Sequence, residues 1–201
     1  MKRRTLDFIF SIGGVLVAVL LVTVGAVFSS NADFAKDYVK DQLTEQRITF
    51  TPAENLSDEE KKVDCLVEYA GAALDSGKKA ECYANEYIGL HVTNIGGGET
   101  YATLGTKERA AKQAVTDAEA ANAANLEELK AEAATITGTR ETVFKGETLR
   151  GLLLTSYGFS IFGEKAALAA TIAYIGALVM LLAGLAGFIH AARTPKDKTV
   201  I

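Results

Sequence analysis

The sequence has few of the side chains from which metal and catalytic sites are built. Its 201 residues include only two histidines, His91 and His190, and only two cysteines, Cys65 and Cys82. Two sulfurs and one neighbouring imidazole do not complete the tetrahedral ligand set of a zinc site. Glycines 96–98 do not form a phosphate loop, because no strand pattern precedes them and no Lys-Ser or Lys-Thr follows. We therefore expect no metal and no other cofactor.

Charged residues are missing from two long apolar runs. Residues 8–28 and residues 166–192 contain no Asp, Glu, Lys or Arg, over lengths of 21 and 27 residues. A helix of about 20 residues crosses a hydrocarbon core about 30 Å thick, so each run predicts a transmembrane helix. Transporters and proton pumps usually carry ionisable side chains within their spans. The missing charge therefore argues against transport by this chain alone.

Basic residues close to the two runs predict how the chain is oriented. They are Lys2, Arg3, Arg4, Arg193, Lys196 and Lys198. Because cytoplasmic loops carry an excess of Lys and Arg, we expect residues 1–7 and 193–201 in the cytoplasm and residues 29–165 outside it, at the plasma membrane. A cleaved secretory signal is the alternative for the first run, but the apolar cores of signals usually have about 7–15 residues. We therefore expect an uncleaved anchor.

The predicted external region, residues 29–165, is acidic and contains both cysteines. It has 15 Lys and Arg against 23 Asp and Glu, a balance of −8, which argues against binding nucleic acid. In an oxidising compartment one pair of cysteines most simply forms a disulfide, Cys65–Cys82, with two buried thiols as the alternative. No strand pattern of any strength occurs. The sequence thus predicts an all-α membrane protein, with two transmembrane helices flanking an α-helical, disulfide-braced extracytoplasmic domain.

Apolar spacing divides that region into four predicted segments: a stalk over 31–46, a hairpin over 57–94, a long helix over 106–135 and an interfacial helix over 147–162. Ser57 and Glu60 form a capping-box pattern in the hairpin, whose first helix should end near Gly71 so that the cysteine Cα atoms come within about 7 Å. Thr106 is the predicted N-cap of the long helix and Gly138 its stop signal. The last segment is too short to span, and we expect it on the membrane surface; a simple bend of the final helix is the alternative.

One stripe of the predicted long helix is small and apolar apart from a central asparagine. Its members are Ala111, Val115, Ala118, Asn122, Leu126, Leu129 and Ala133. Such a stripe permits close approach of another helix. It either packs on this protein's own hairpin or binds a partner helix or a second copy, with Asn122 fixing the register. These residues are the candidate interaction site.

The stretch from Cys82 to His91 resembles catalytic machinery in composition but not in spacing. Nine residues on a helix place Cys82 and His91 on opposite faces, so they cannot act as a nucleophile and its base. His91 shares a face with Ala84, Ile88 and Ile95, which predicts a partly buried structural histidine. Glycines 96–98 predict a flexible turn. No catalytic residues are assigned, and the chain is expected not to be an enzyme.

The motifs KKAECYANEYIGLH, GGGETYATLG and TLRGLLLTSYGF, together with the two-span layout, resemble a family of two-transmembrane-helix envelope proteins from Actinobacteria. The resemblance covers most of the chain and implies a cell-envelope location. Members of that family are sometimes labelled ring-opening dioxygenases. Such enzymes need a metal held by several His and carboxylate ligands, and this chain's two histidines give the label no support.

These observations predict a non-catalytic accessory or scaffold subunit of a larger actinobacterial membrane complex, with a respiratory cytochrome supercomplex as the first candidate. The expected partners are the lipid bilayer and other integral membrane subunits or a second copy, without nucleic acid. One alternative is an extracytoplasmic ligand-binding or sensor module that uses a pocket beside His91 and Tyr101 and acts through a partner. An envelope enzyme is the class that the residues support least.

Overall fold

The computed structural model describes residues 2–195 and residue 199. Within this range the chain forms six α-helices: α1 Arg3–Glu45, α2 Asp64–Glu68, α3 Gly77–Cys82, α4 Gly89–Gly96, α5 Tyr101–Ala120 and α6 Leu126–Arg193. Short 3₁₀ turns, Ala53–Asn55 and Glu60–Lys62, precede α2, and a π-helical turn, Tyr83–Ile88, joins α3 to α4. No described residue belongs to a strand, although Thr49 and Ala73 form an isolated bridge. The predicted all-helical class is confirmed for the described residues.

The chain forms two compact units. We call Met1–Tyr38 with Ser160–Ile201 the apolar unit and Val39–Phe159 the disulfide unit. The two predicted apolar runs lie within α1 and α6, and both helices are long and apolar enough to cross a membrane. Lys196 and Lys198, on which part of the predicted orientation rests, lie outside the described residues.

Small residues bring α1 and α6 together within the apolar unit. A Cβ atom added to Gly184 would lie 3.1 Å from the carbonyl oxygen of Ser11, and one added to Gly187 would collide with the Ser11 hydroxyl. A Cβ on Gly14 would lie 3.6 Å from the Cα of Gly184. The Ser11 hydroxyl donates to the carbonyl oxygen of Asp7 at 2.7 Å. One narrow face of each helix is therefore occupied by the other helix.

The disulfide unit has a core of its own. Phe50, between α1 and α2, exposes 2 % of its surface and makes edge-on ring contacts with Tyr69 and Tyr83 at 5.6 and 5.2 Å. Its backbone amide donates to the carbonyl oxygen of Ala72 at 2.9 Å, which anchors the segment between α1 and α2 to the segment after α2. The buried cluster comprises Val39, Leu43, Phe50, Leu66, Leu74, Ala80, Cys82, Ala84, Ile88, Val92, Leu104, Val143 and Leu153.

The predicted disulfide is confirmed. Cys65 on α2 and Cys82 at the end of α3 are bonded, with their Cα atoms 6.2 Å apart. Ser57 and Glu60 form the predicted reciprocal cap, with the Ser57 amide 2.7 Å from the Glu60 carboxylate. This cap starts a 3₁₀ turn, however, and the helix that contains Cys65 is only Asp64–Glu68. The predicted first helix of the 57–94 hairpin is therefore too long.

The predicted helix over 106–135 is two antiparallel helices, α5 and α6. Thr100, and not Thr106, caps α5, since its hydroxyl accepts from the amide of Thr103 while the Thr103 hydroxyl accepts from the amide of Thr100. Asn122 ends α5 in the left-handed conformation, with φ of 48°. The Ala123 amide donates a hydrogen bond to the carbonyl oxygen of Ala118 at 2.9 Å, as in a Schellman motif. A short polar side chain tolerates this conformation, so Asn122 reverses the chain and does not set a register.

Two further predictions fail because α6 is continuous. Gly138, the predicted stop signal, lies inside α6, and a Cβ atom added there would meet nothing within 4 Å. A single helical glycine costs only about 0.5–1 kcal/mol relative to alanine, so it does not end a helix whose other turns are well supported. Residues 147–162 likewise form part of α6 and not a separate interfacial helix.

Candidate interaction surface

The stretch from Cys82 to His91 holds the fold together. Cys82 is bonded to Cys65. The ring of Tyr83 stacks on that of Tyr87, with centroids 4.7 Å apart, and the His91 ring lies tilted against Tyr87, with centroids 4.4 Å apart. Burial, and then the neighbouring Tyr87, raise the pKa of Tyr83 to about 12. The His91 Nδ1–H donates to the Tyr87 carbonyl oxygen at 2.8 Å. Tyr83 and Tyr87 therefore pack along one side of the core.

His91 is more exposed than its helical spacing predicts, with 47 % of its side chain accessible. The π-helical turn Tyr83–Ile88 is the cause, because its wider turns shift the helix face by one residue. Val92 and Gly96 are consequently buried, whereas His91 and Ile95 are exposed. His91 and Ile95 share a face as predicted, but it is an exposed face and not that of the buried Ala84 and Ile88, so the predicted burial of His91 is wrong.

His91 also approaches a buried carboxylate. Its Nε2 lies 3.8 Å from the Oε1 atom of Glu60, whose side chain is 6 % exposed. Burial works to raise the pKa of Glu60, but hydrogen bonding by the backbone and hydroxyl of Ser57 and the nearby charge of His91 outweigh it. The pKa of Glu60 therefore lies below its ordinary value. The Glu60 carboxylate therefore stays ionised and accepts the hydrogen bond from the backbone amide of Ser57.

Glycines 96–98 end α4. Gly97 and Gly98 adopt φ of 60° and 81°, a region that side chains other than glycine rarely occupy. The Gly98 amide donates to the carbonyl oxygen of Thr93 and the Gly97 amide to that of Asn94, at 2.9 and 3.1 Å. The three glycines therefore form a second Schellman terminus, which leads directly into the Thr100 cap of α5.

The predicted stripe does not form one surface. Asn122 lies in the turn between α5 and α6, so the stripe is divided between the two antiparallel helices. Ala118 and Ala133 are buried, with 7 % and 8 % exposure. Ala111 and Leu129 line a groove between the helices, and Val115 and Leu126 are half-buried. The stripe is thus mainly the seam of this protein's own α5–α6 hairpin, and the candidate interaction residues keep only part of their surface for a partner.

A buried carboxylate locks the base of that hairpin. Glu108 on α5 is 6 % exposed, and its Oε1 accepts from Lys112 Nζ at 2.6 Å and from the Thr137 hydroxyl at 2.9 Å. Its Oε2 accepts from Arg140 Nη1 at 2.6 Å, and the Arg140 guanidinium lies over the Tyr101 ring at 4.2 Å. The hydrogen bonds from Lys112, Arg140 and Thr137 lower the pKa of Glu108 to about 2.

Neither Glu108 nor Arg140 was singled out in the sequence, since they are 32 residues apart and carry no local motif. Gly105 makes room for Arg140, since a Cβ atom added there would lie 3.0 Å from Arg140 Nη2. Tyr101 forms a second contact here, with its ring 5.4 Å from that of Phe144. The small cavity of about 160 Å³ beside it is lined by Tyr101, Glu108, Thr137, Arg140, Glu141 and Phe144, and not by His91.

A groove of about 350 Å³ lies between α5 and α6. Its lining is Lys107, Ala110, Ala111, Ala114, Leu129, Glu132 and Ile136. Lys107, Ala110 and Glu132 are exposed, and the other lining residues are half-buried. Lys107 also pairs with Glu99 at 2.6 Å. The groove is an apolar strip with one cationic and one anionic side chain.

No protein-family profile, no curated protein and no solved structure matches this chain. Among residues 2–195 and 199, no three His, Cys, Asp or Glu side chains are grouped as a metal site. The class that the fold defines is an all-helical protein with a disulfide-bonded unit and two long apolar helices.

Proposed function

We propose that this chain is an integral membrane protein of the cell envelope, with the disulfide unit outside the cytoplasm, and that it serves as a non-catalytic accessory or scaffold subunit of a larger membrane complex. The exposed apolar surface of α1 and α6 carries the proposal. The most apolar windows of these helices are only 22 % and 17 % buried. The core helix of a water-soluble protein would bury most of such a window.

Individual side chains show the same exposure. Phe10 and Leu16 on α1 are 75 % and 64 % accessible, and Leu168 and Ile172 on α6 are 55 % and 62 % accessible. Apolar surfaces of this size that are exposed to water favour association or aggregation. Lipid tails or neighbouring apolar helices cover such surfaces and remove them from water. A signal sequence could account for α1 alone, but α6 begins at Leu126. Two spans therefore account for both helices.

The contact between the two helices supports a subunit role. It uses the narrow face around Ser11, Gly14, Gly184 and Gly187, so most of each helix surface faces outward. Membrane helices associate through small residues and close van der Waals packing. The outward surfaces are therefore available to lipid or to the helices of other subunits. A respiratory cytochrome complex remains the first candidate, on the basis of the resemblance to an actinobacterial envelope family.

The disulfide supports the external placement of its unit. Disulfides persist in oxidising compartments and are rare in the cytosol. The Cys65–Cys82 bond joins α2 to α3 next to Leu66, which exposes only 1 % of its surface. Because this bond joins two elements of the core, it supports placing the unit in a compartment where thiols are oxidised.

The test is purification of the tagged full-length chain from its native membranes in mild detergent, followed by native mass measurement. We expect co-purification with other integral membrane subunits in a fixed ratio, above the background of a tagged unrelated two-span protein. Resistance of the chain to alkaline extraction should accompany it. Recovery as a single species without other subunits contradicts the accessory role, and release by alkali contradicts the membrane spans.

A further inference from the structure

The apolar unit has an open groove along one flank of its helix pair, between α1 and α6, with a volume of about 290 Å³. We call it the lateral groove, and its sides are formed by Val15, Val19, Val22, Tyr174, Leu178 and Leu181. Ala18 and Ala177 form its floor and are each 4 % exposed. Elsewhere along the seam the space is filled, since a Cβ atom added to Gly176 would lie 3.3 Å from Leu21 Cδ1. The lateral groove is therefore a part of the seam that the two helices do not fill themselves.

Tyr174 closes one end of the lateral groove. Its ring lies against the backbone of α1, because a Cβ atom added to Gly25 would lie 2.8 Å from Tyr174 Cε1. The tyrosine is 41 % exposed, and its hydroxyl forms no hydrogen bond with any residue that the structure describes. The other side chains of the groove are aliphatic. An apolar groove thus has one unpaired hydrogen-bonding group, located at one end.

The position of Tyr174 along the helices matters if they span a membrane, as proposed above. Gly25 lies three residues before Phe28, the last residue of the first uncharged run, and so about 4–5 Å inside the end of that run. Tyrosine side chains are enriched at this interfacial level, where the acyl chains of phospholipids join their ester groups. From there, residues 15–22 of α1 extend the groove by about 10 Å toward the membrane centre. The groove therefore runs in the direction of the lipid chains.

We propose that the lateral groove binds one phospholipid, with an acyl chain along the groove and an ester carbonyl oxygen that accepts a hydrogen bond from the Tyr174 hydroxyl. A hydroxyl without a partner is costly in an apolar surrounding, and the ester group removes that cost at the level where the chain begins. A helix of another subunit suits the site less well, because its backbone carbonyls already accept intrahelical bonds and it would have to bring an acceptor side chain. The inference rests on the proposed membrane spans and not on the accessory role.

A comparison of ester and ether lipids tests the hydrogen bond. The full-length chain in mild detergent would be titrated with diacyl phosphatidylglycerol or with its ether-linked analogue of the same chain length, and bound lipid counted by native mass spectrometry. We expect one ester lipid per chain. Tyr174→Phe keeps the ring against Gly25 and should weaken ester-lipid binding roughly three- to tenfold, as the loss of one hydrogen bond predicts. Binding of the ether lipid, which has no carbonyl, should not change.

The matched control for the hydroxyl is Tyr101→Phe, at a tyrosine of the disulfide unit that is also 41 % exposed. This variant should bind the ester lipid as the native chain does. Equal losses of ester and ether lipid in Tyr174→Phe, or no loss of either, would overturn the proposed hydrogen bond.

Photo-cross-linking tests the location of the chain. The protein would be reconstituted in vesicles of phosphatidylglycerol and phosphatidylethanolamine that contain a trace of phosphatidylglycerol with a diazirine in its acyl chain. We expect an excess of lipid adducts on the peptides that contain Val19 and Leu178. Val22→Phe places a ring in the groove and should lower these adducts severalfold. Val27→Phe makes the same change on α1 outside the groove, at 56 % exposure against 49 % for Val22, and should have no such effect. Adducts spread evenly over both helices, in the native chain and in Val22→Phe alike, would overturn the site.

Alkaline extraction of the same vesicles separates failure of this inference from failure of the spans. A chain that resists alkali but retains no lipid and shows even labelling keeps its spans and has no lipid site. A chain that alkali releases has no spans, and the lipid site is then overturned with them. A photoreactive residue placed at Val19 in native membranes should likewise capture lipid. Capture of a helix of another protein in its place would overturn the lipid site while supporting the accessory role.

Discussion

The two units of this protein differ in where their large apolar side chains lie. In the disulfide unit, Phe50 and Leu74 expose 2 % and 1 % of their surface. In the apolar unit, Phe10 exposes 75 % and Leu20 61 %. Both units are helical, but only the apolar unit contains long runs without charged residues. The first unit therefore buries its largest apolar side chains in its own core, whereas the second leaves them exposed, as the proposed membrane spans would.

The means of stabilisation differ in the same way. The disulfide unit combines a packed core with a cross-link, capped helix ends and the buried Glu108–Arg140 pair. The apolar unit depends on glycines that let two helices touch, such as Gly187 against Ser11. Helices in lipid need close packing because the surrounding tails provide no hydrophobic driving force between them. The following variants should therefore separate the two units.

The largest effect should come from emptying the core of the disulfide unit. Phe50→Ala should lower the free energy of unfolding of this unit by about 3–5 kcal/mol, because it removes a ring that is 2 % exposed. Phe10→Ala removes the same ring from a site that is 75 % exposed and should change helix stability far less. Denaturant titration in detergent, monitored by near-ultraviolet circular dichroism, measures both. Similar losses for the two variants would contradict the comparison.

Removal of the cross-link should act on one unit only. Replacing both Cys65 and Cys82 by alanine should destabilise the disulfide unit by about 3 kcal/mol, from the loop-closure entropy of a 17-residue separation. Hydrogen exchange should show faster opening near Phe50 and Leu66 and unchanged protection near Gly14. A uniform loss of protection along α1 and α6 would show that the two units do not respond separately. Reduction of the native protein is the matching control.

A glycine substitution should act on the other unit. Gly187→Ala places a methyl group against the Ser11 hydroxyl and should weaken the α1–α6 contact by about 1–3 kcal/mol. Gly13→Ala makes the same change where a Cβ atom would meet nothing within 4 Å, so it should be neutral or slightly stabilising. Accessibility of a thiol introduced at Val15 reports the contact. A larger effect of Gly13→Ala than of Gly187→Ala on this accessibility would contradict the proposed role of the Gly187–Ser11 contact.

The smallest effect should be confined to acid. The pKa of Glu108 is lowered from 4.5 to about 2 by its hydrogen bonds to Lys112, Arg140 and Thr137, so its contribution to stability is complete above about pH 4.5. That contribution declines as the pH falls through this window and is lost below about 2. Glu108→Gln should be less stable at neutral pH and should show a shallower decline in the same window.

The matched control for Glu108 is Glu141→Gln, which removes an exposed carboxyl next to Arg140. It should retain the acid dependence of the native chain. Thermal unfolding of the disulfide unit between pH 7 and pH 2 compares the three proteins. An unchanged slope in Glu108→Gln would show that this carboxylate does not control the acid response.

The sequence predicted those features that follow from counting and periodicity. One cysteine pair predicts one disulfide, and two uncharged apolar runs predict two long apolar helices; both are confirmed. The predicted helical class is confirmed as well. It could be predicted because the sequence contains helical spacing and no strand pattern. That the helices cross a membrane, and in which direction, remains a prediction.

Features that depend on backbone reversals and distant contacts were not predictable in this way. The apolar stripe continues in phase across Asn122, so periodicity alone could not show that the chain turns back there. The π-helical turn rotated the face that contains His91, and no composition signal marks such a turn. Glu108 and Arg140 meet only because α5 and α6 form a hairpin. The sequence therefore did not predict the groove beside them. Two of the residues that line it, Ala111 and Leu129, were nevertheless among the predicted interaction residues.

The most direct test of the account is the location of the disulfide unit relative to the membrane. A thiol introduced at the exposed Thr116 and another at Arg4, beside the first apolar run, would be treated in intact cells with a membrane-impermeant maleimide. The account predicts labelling of Thr116→Cys in intact cells and labelling of Arg4→Cys only after the membrane is opened. Labelling of both variants in intact cells, or protection of Thr116→Cys alone, would contradict it.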